Sequence, residues 1–109
     1  MSELKEIRRF GGVPQKNSGR GKHSKGDAVW GKFLVDVKEY SKSFSLNIKM
    51  WAKVSTDAAQ EGLEPTLNVV LGEEGKPRVR LWVITDEAMR EYQELVENRD
   101  TLEIRKIND

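Results

Sequence analysis

The stretch DAVWGKFLVDVK, residues 27–38, decides the fold. Two apolar-rich runs flank Gly31-Lys32, and a glycine followed by almost any residue suits the two-residue type II′ turn that closes a β-hairpin. A loop at 31–32 pairs Trp30 with Phe33, Val29 with Leu34, Ala28 with Val35, and Asp27 with Asp36. Directly opposed residues share one face of the sheet, with Cβ atoms roughly 4.5–5.5 Å apart. The period-two alternation of a strand adds Lys38 to the face of Asp27 and Asp36. The opposite face takes Ala28, Trp30, Phe33, Val35 and Val37 and is expected to be a core face.

This register gathers two carboxylates and an ammonium at the open end of one hairpin. Opposed carboxylates repel unless a cation lies between them. Lys38 supplies part of that charge, and a divalent metal would supply the rest. Mg²⁺ takes oxygen ligands, usually one or two carboxylates with water and substrate phosphate completing the shell. An ion so held stabilises a phosphate under attack and activates a water. The lysine would orient or deprotonate that water, or stabilise the developing charge. The same spacing equally fits two solvent-facing acids with an ordinary lysine partner, because D-x-K is a short string.

Outward from the hairpin, residues 2–10 predict a short helix with Ser2 as its cap and Leu4, Ile7 and Phe10 on one side, stopped by Gly11-Gly12. Residues 11–26, GGVPQKNSGRGKHSKG, lack apolar periodicity and predict a flexible basic loop. Loops of about that length in compact domains are usually functional or disordered. Residues 45–61 predict a helix from the spacing of Met50, Trp51, Val54 and Ala58, ended by Gly62. TLNVVL (66–71) and RVRLWVI (78–84) predict strands joined by the turn EEGKP. Asp86 to Val96 predicts a helix capped by Thr85, with Ala88, Met89, Tyr92, Leu95 and Val96 facing inward. TLEIRKI (101–107) alternates and predicts an edge strand. Trp30, Trp51 and Trp82 lie in apolar stripes and are expected to pack in the core. The order of elements implies an α/β domain with a mixed central sheet flanked by helices.

The 109-residue chain is about one domain in length. It has no cysteine, which excludes disulfides, thiolate metal sites and cysteine nucleophiles. No stretch approaches the ~20 apolar residues of a membrane span, and MSELKEIRRF lacks the apolar core of a signal peptide. The expectation is a cytoplasmic protein with no membrane partner and no organic cofactor. The net charge of +1 conceals a division. Residues 1–53 carry 12 Lys/Arg against 5 Asp/Glu, whereas residues 54–109 carry 7 against 13. An asymmetry of this kind suits a chain whose first half meets a polyanion, and it also suits ordinary solvated faces.

Gly26-Asp27 followed by Phe33-Leu34-Val35-Asp36-Val37-Lys38 resembles the signature of the PD-(D/E)xK nucleases, with Gly26 in place of the proline. The run from GG through SG, KGD, FLVDVK, SFSL and the Trp51 helix to EPTLNVVL is similar to the small Holliday-junction resolvases of phages and archaea, over roughly residues 3–96. The resemblance implies a restriction-endonuclease-like core spanning residues 1–109 as a single nuclease domain. It implies cleavage of four-way DNA junctions with Mg²⁺ or Mn²⁺, action as a homodimer, and a bacterial or archaeal host cell, the protein being host- or phage-encoded. On this resemblance Asp27 and Asp36 match the metal-binding acids and Lys38 the catalytic lysine. Glu3 best matches an upstream glutamate that shares the metal, with Glu6 the competitor, and Ser18 matches a loop serine that aids catalysis. Lys16, Arg20, Lys22 and Lys25 suit a clamp that orders on phosphates. Lys49 and Lys53, beside Gln60 on one helical side, suit contacts to the DNA backbone. His23 suits a loop residue near DNA. A flap, nicking or restriction-type nuclease and a non-catalytic DNA-binding module of the same fold remain open.

Overall fold

The computed structural model describes residues 3–15 and 26–108. The expected loop residues Lys16, Ser18, Arg20, Lys22, His23 and Lys25 lie outside the described residues. The elements are α1 (Glu3–Phe10), β1 (Val13–Pro14), β2 (Ala28–Trp30), β3 (Phe33–Tyr40), α2 (Ile48–Gln60), β4 (Glu64–Leu71), β5 (Val79–Val83) and α3 (Asp86–Asn108). The protein is α/β, with three helices and one mixed five-stranded sheet in the order β1-β2-β3-β4-β5. Only β3 and β4 run parallel, joined through α2; the other neighbours are antiparallel. Among the described residues no helix is long and apolar enough to cross a membrane.

The hairpin register is the one predicted, with Ala28 opposite Val35, Val29 opposite Leu34 and Trp30 opposite Phe33. Gly31 has φ of +58°, as the first position of a II′ turn requires. Strand β4 is buried on both faces from Thr66 to Val70, the usual condition of a strand in parallel pairing. One face carries Ala28, Val35 and Val37, on which Ile7 of α1 packs with Phe10 and Phe33 at the margin. The other carries Leu67 and Val69, on which Val54 of α2 packs with Trp51, Phe44, Leu71 and Val83. Full burial of a leucine such as Leu34 or Leu67 stabilises by roughly 1.5–3 kcal/mol each.

Several expectations are corrected. Val13-Pro14, expected in a flexible loop, forms a short strand on β2. Pro14 fits there because β1 is an edge strand, where a missing N–H costs no interior ladder bond. Helix α2 begins at Ile48 and not at 45, because the Asn47 side chain accepts from the Met50 amide at 2.8 Å and caps the first turn. Strand β4 begins at Glu64, two residues early, because the Glu64 amide donates to the Lys32 carbonyl across the turn.

The largest correction concerns the C-terminal region. Residues 101–107 are helical and continue α3 to Asn108. No Gly or Pro interrupts 86–108, and Glu97, Arg99, Glu103, Arg105 and Lys106 are good helix formers, so the alternation of Leu102 and Ile104 does not override the helix. Thr85 caps α3 as expected, accepting from the Ala88 amide at 3.0 Å. Of the residues expected to face inward, however, only Ala88 is buried; Met89, Tyr92 and Leu95 are exposed. Trp30 and Trp82 are also not in the core, at 42% and 38% exposed. They stack on one another at 5.0 Å and on Phe10 at 5.4 and 5.1 Å, forming a surface cluster of three rings.

Leu67→Ala, at a fully buried core position, is expected to lower the unfolding free energy by about 2–5 kcal/mol. Ile104→Ala is expected to change it by no more than about 0.5 kcal/mol, because α3 leaves that side chain in solvent. Urea unfolding at low protein concentration measures both, and equal losses would contradict the assignment of residues 101–107.

Candidate active site at the open end of the hairpin

Asp27 lies one residue beyond the last hairpin pair and is held from three sides. Its amide donates to the Val35 carbonyl at 2.9 Å, and its carbonyl accepts from the Gln15 amide at 3.0 Å. Its carboxylate Oδ2 accepts from the Val37 amide at 2.6 Å. The carboxylate thus leans across β3. Gly26 permits this path, with φ of +67°; a Cβ there would stand 2.8 Å from Leu34 Cγ. Glycine where the resembling signature has proline is therefore demanded by the buried Leu34 beneath it.

The Asp27 and Asp36 carboxyls are hydrogen-bonded to one another. Lys38 Nζ stands 3.5 Å from Asp36 Oδ1. The two acids and the lysine expected on one face are therefore together. Burial, then the hydrogen bond and the negative charge of Asp27, push Asp36 up to about 6, against a smaller downward pull from Lys38. Burial also raises Asp27, while its bonds from the Val37 amide and Asp36 oppose the rise. The contact between the two acids lowers Asp27 and raises Asp36.

The two upstream glutamates diverge although three residues separate them on α1. Glu3 reaches Asp27, hydrogen-bonding to it and raising its pKa by like charge. Glu6 is 1% exposed and paired with Arg80, whose Nε lies 3.0 Å from Oε1 and 3.4 Å from Oε2. Arg80 on β5 ties Glu6 to the sheet, and Glu3 is the glutamate beside the carboxyl pair. Lys49 and Lys53 are exposed on α2, on the same side of the sheet as Asp36 and Lys38. Lys53 lies 3.5 Å from Asp57 Oδ2, one helical turn away.

Three elements that shape the site are not legible in the sequence. The Val37 amide and the Gln15 amide are backbone groups, which no residue type announces. Arg80 stands far along the chain from Glu6, with no spacing rule to join them. Among the described residues no group of three or more His, Cys, Asp or Glu side chains is arranged as a metal cage. Two adjoining acids whose pKa values are both raised nonetheless mark a place where a cation would relieve repulsion, and the donors are the oxygen type that Mg²⁺ prefers.

No protein-family model matches this chain, and neither does any curated protein or solved structure.

The raised acids give a signed prediction. An acid whose folded pKa exceeds its unfolded value destabilises the fold once ionised. With divalent cations chelated, stability should fall as pH rises from about 4 through about 6, the interval between the ordinary Asp36 value of 3.8 and its folded one. Saturating Mg²⁺ should flatten the decline, and Asp36→Asn should remove most of it. Unfolding midpoints measured across that range check this; a midpoint that rises over the interval in chelator would contradict an Asp36 pKa raised by burial beside Asp27.

Proposed function

We propose that this protein is a structure-selective endodeoxyribonuclease that resolves four-way DNA junctions by metal-dependent phosphodiester hydrolysis. The observation that carries the reading is the hydrogen-bonded Asp27–Asp36 pair with Lys38 at 3.5 Å, presented at the open end of a hairpin. A mixed sheet with a parallel β3–β4 crossover through α2 is compatible with a restriction-endonuclease-like core. Lys49 and Lys53, exposed on α2 on the side of the sheet that carries Asp36 and Lys38, suit a polyanionic substrate. Two symmetric cuts require a homodimer.

Asp27 and Asp36 would hold Mg²⁺ or Mn²⁺, with Glu3 adjoining Asp27 and water and a substrate phosphate completing the shell. When bound, the ion supplies Lewis-acid stabilisation of the phosphate and an activated water. The chain's own residues set the geometry. The Val37 amide fixes Asp27, and Asp27 fixes the orientation of Asp36. Lys38, held by Asp36, presents an ammonium that orients the attacking water or neutralises charge as the phosphodiester bond breaks. Lys49 and Lys53 contact the DNA backbone, so that junction shape and charge dominate over base identity.

Asp36→Asn is expected to reduce cleavage by about 10²–10³-fold or more while leaving junction binding within a few-fold. A panel of labelled four-way, flap, nicked and linear duplexes with Mg²⁺ separates the activities. Paired symmetric nicks confined to the four-way substrate support a resolvase. Cutting of flaps or linear duplex instead would move the assignment to another nuclease of this type, and binding with no cutting of any substrate would make the fold a DNA-binding module.

A further inference from the structure

Helix α3 runs for 23 residues, about 35 Å, yet of its described side chains only Ala88, in the first turn, is buried. Lys32 straps that first half down, its Nζ lying 2.8 Å from Glu91 and 3.3 Å from Glu64. Beyond it the helix keeps an apolar stripe that no other described residue of the chain covers fully. Tyr92 is 58% exposed, Leu95 67% and Leu102 57%. The stripe faces the ring cluster of Trp30 and Trp82, and between them lies an open groove of about 560 Å³, also lined by Phe33, Ile84 and Met89. At 150–250 Å² for a large side chain, the exposed parts of Trp30, Trp82, Met89, Tyr92, Leu95 and Leu102 amount to roughly 460–770 Å². That matches or exceeds the largest apolar patch of a typical monomer, about 300–600 Å², and patches of this size are often functional. With the flanking polar residues it approaches the ~800 Å² per partner of a standard interface.

We infer that this groove is filled by α3 of a second copy of the chain, lying antiparallel to the first across a two-fold axis. Charge selects the occupant and its direction. Residues 86–97 carry Asp86, Glu87, Glu91, Glu94 and Glu97 against Arg90 alone. Residues 98–108 carry Arg99, Arg105 and Lys106 against Asp100 and Glu103. A parallel pair would set the acidic halves against each other, whereas an antiparallel pair sets each acidic half beside Arg99, Arg105 and Lys106 of its mate. The stripe fixes the register. An axis between Leu95 and Val96 seats Leu102 of one copy against Met89 of the other. It places Arg99 over the Tyr92 ring, a cation–π contact for the one charged residue that interrupts the stripe. The second helix then covers the groove beside Trp82 and Trp30. This face of the sheet is the one opposite Asp36 and Lys38, so both copies keep the acid pair accessible. The inference rests on the groove and the charge pattern and would stand if the chain were not a nuclease.

Because the chain has no cysteine, cross-linking tests the register directly. In Met89→Cys/Leu102→Cys the two sulfurs of one chain are about 20 Å apart along a single helix and cannot bond to each other. Mild oxidation of the full chain, without DNA or metal, should give a covalent dimer. Sedimentation equilibrium at micromolar concentration should show the unaltered protein as a dimer and Leu95→Glu/Leu102→Glu as a monomer with an unchanged helical circular-dichroism signal. A monomeric unaltered protein would mean that the groove serves another occupant and would overturn the inference. So would a dimer that survives Leu95→Glu/Leu102→Glu, or one that fails to cross-link at 89 and 102. None of these readouts depends on cleavage.

Discussion

The site depends on one constraint, the register of the β2–β3 hairpin. A two-residue turn at Gly31-Lys32 leaves only one pairing that puts Ala28, Val35 and Val37 under α1, and a slip of one residue would turn them outward. The same pairing brings Asp27 beside Asp36. Burial of apolar side chains on one face therefore pays for the juxtaposition of two acids on the other. The acids themselves oppose the arrangement, as the raised Asp36 pKa of about 6 records. The fold holds them together because the core does not permit another register.

Around that hairpin, the backbone does most of the positioning. Asp27 is fixed by the Val35, Gln15 and Val37 main-chain groups, so its carboxylate has little freedom. Strand β1 consists of two residues, yet its continuation at Gln15 closes the outer side of Asp27. Helix α1 contributes at both of its acids in different ways. Glu6, buried with Arg80, fixes the helix to β5, and Glu3, one turn earlier, is thereby placed against Asp27. A buried ion pair of this kind is costly to break, because either partner alone would be left charged in the interior.

Much of this was legible in the sequence wherever the controlling interaction is local. Turn chemistry and period-two alternation were enough for the hairpin, and a Thr85 hydroxyl three residues before Ala88 was enough for the start of α3. Reading failed where the partner is distant. Nothing in Val13-Pro14 announces that it pairs with Val29 and Ala28, because a two-residue edge strand has no periodicity. The tail TLEIRKI fits both a strand and a helix by spacing, and continuity of α3 settled it. Trp30, Trp82, Tyr92 and Leu95 have the pattern of core residues, but burial depends on what covers them, and among the described residues nothing covers them fully. Patterning reports which face wants to be covered, and does not report whether the cover comes from the same molecule.

On the proposed function, Asp27, Asp36 and Lys38 act as one hydrolytic unit on branched DNA. The decisive experiment is the rate of strand cleavage of a synthetic four-way junction, labelled on each strand in turn, by the unaltered protein and by Lys38→Ala, with Mg²⁺ and with chelator. Paired, symmetric nicks that require Mg²⁺ and disappear in Lys38→Ala while the junction is still bound are the expected result. Cleavage by Lys38→Ala at the rate of the unaltered protein, or no cleavage by the unaltered protein under saturating Mg²⁺, would contradict it.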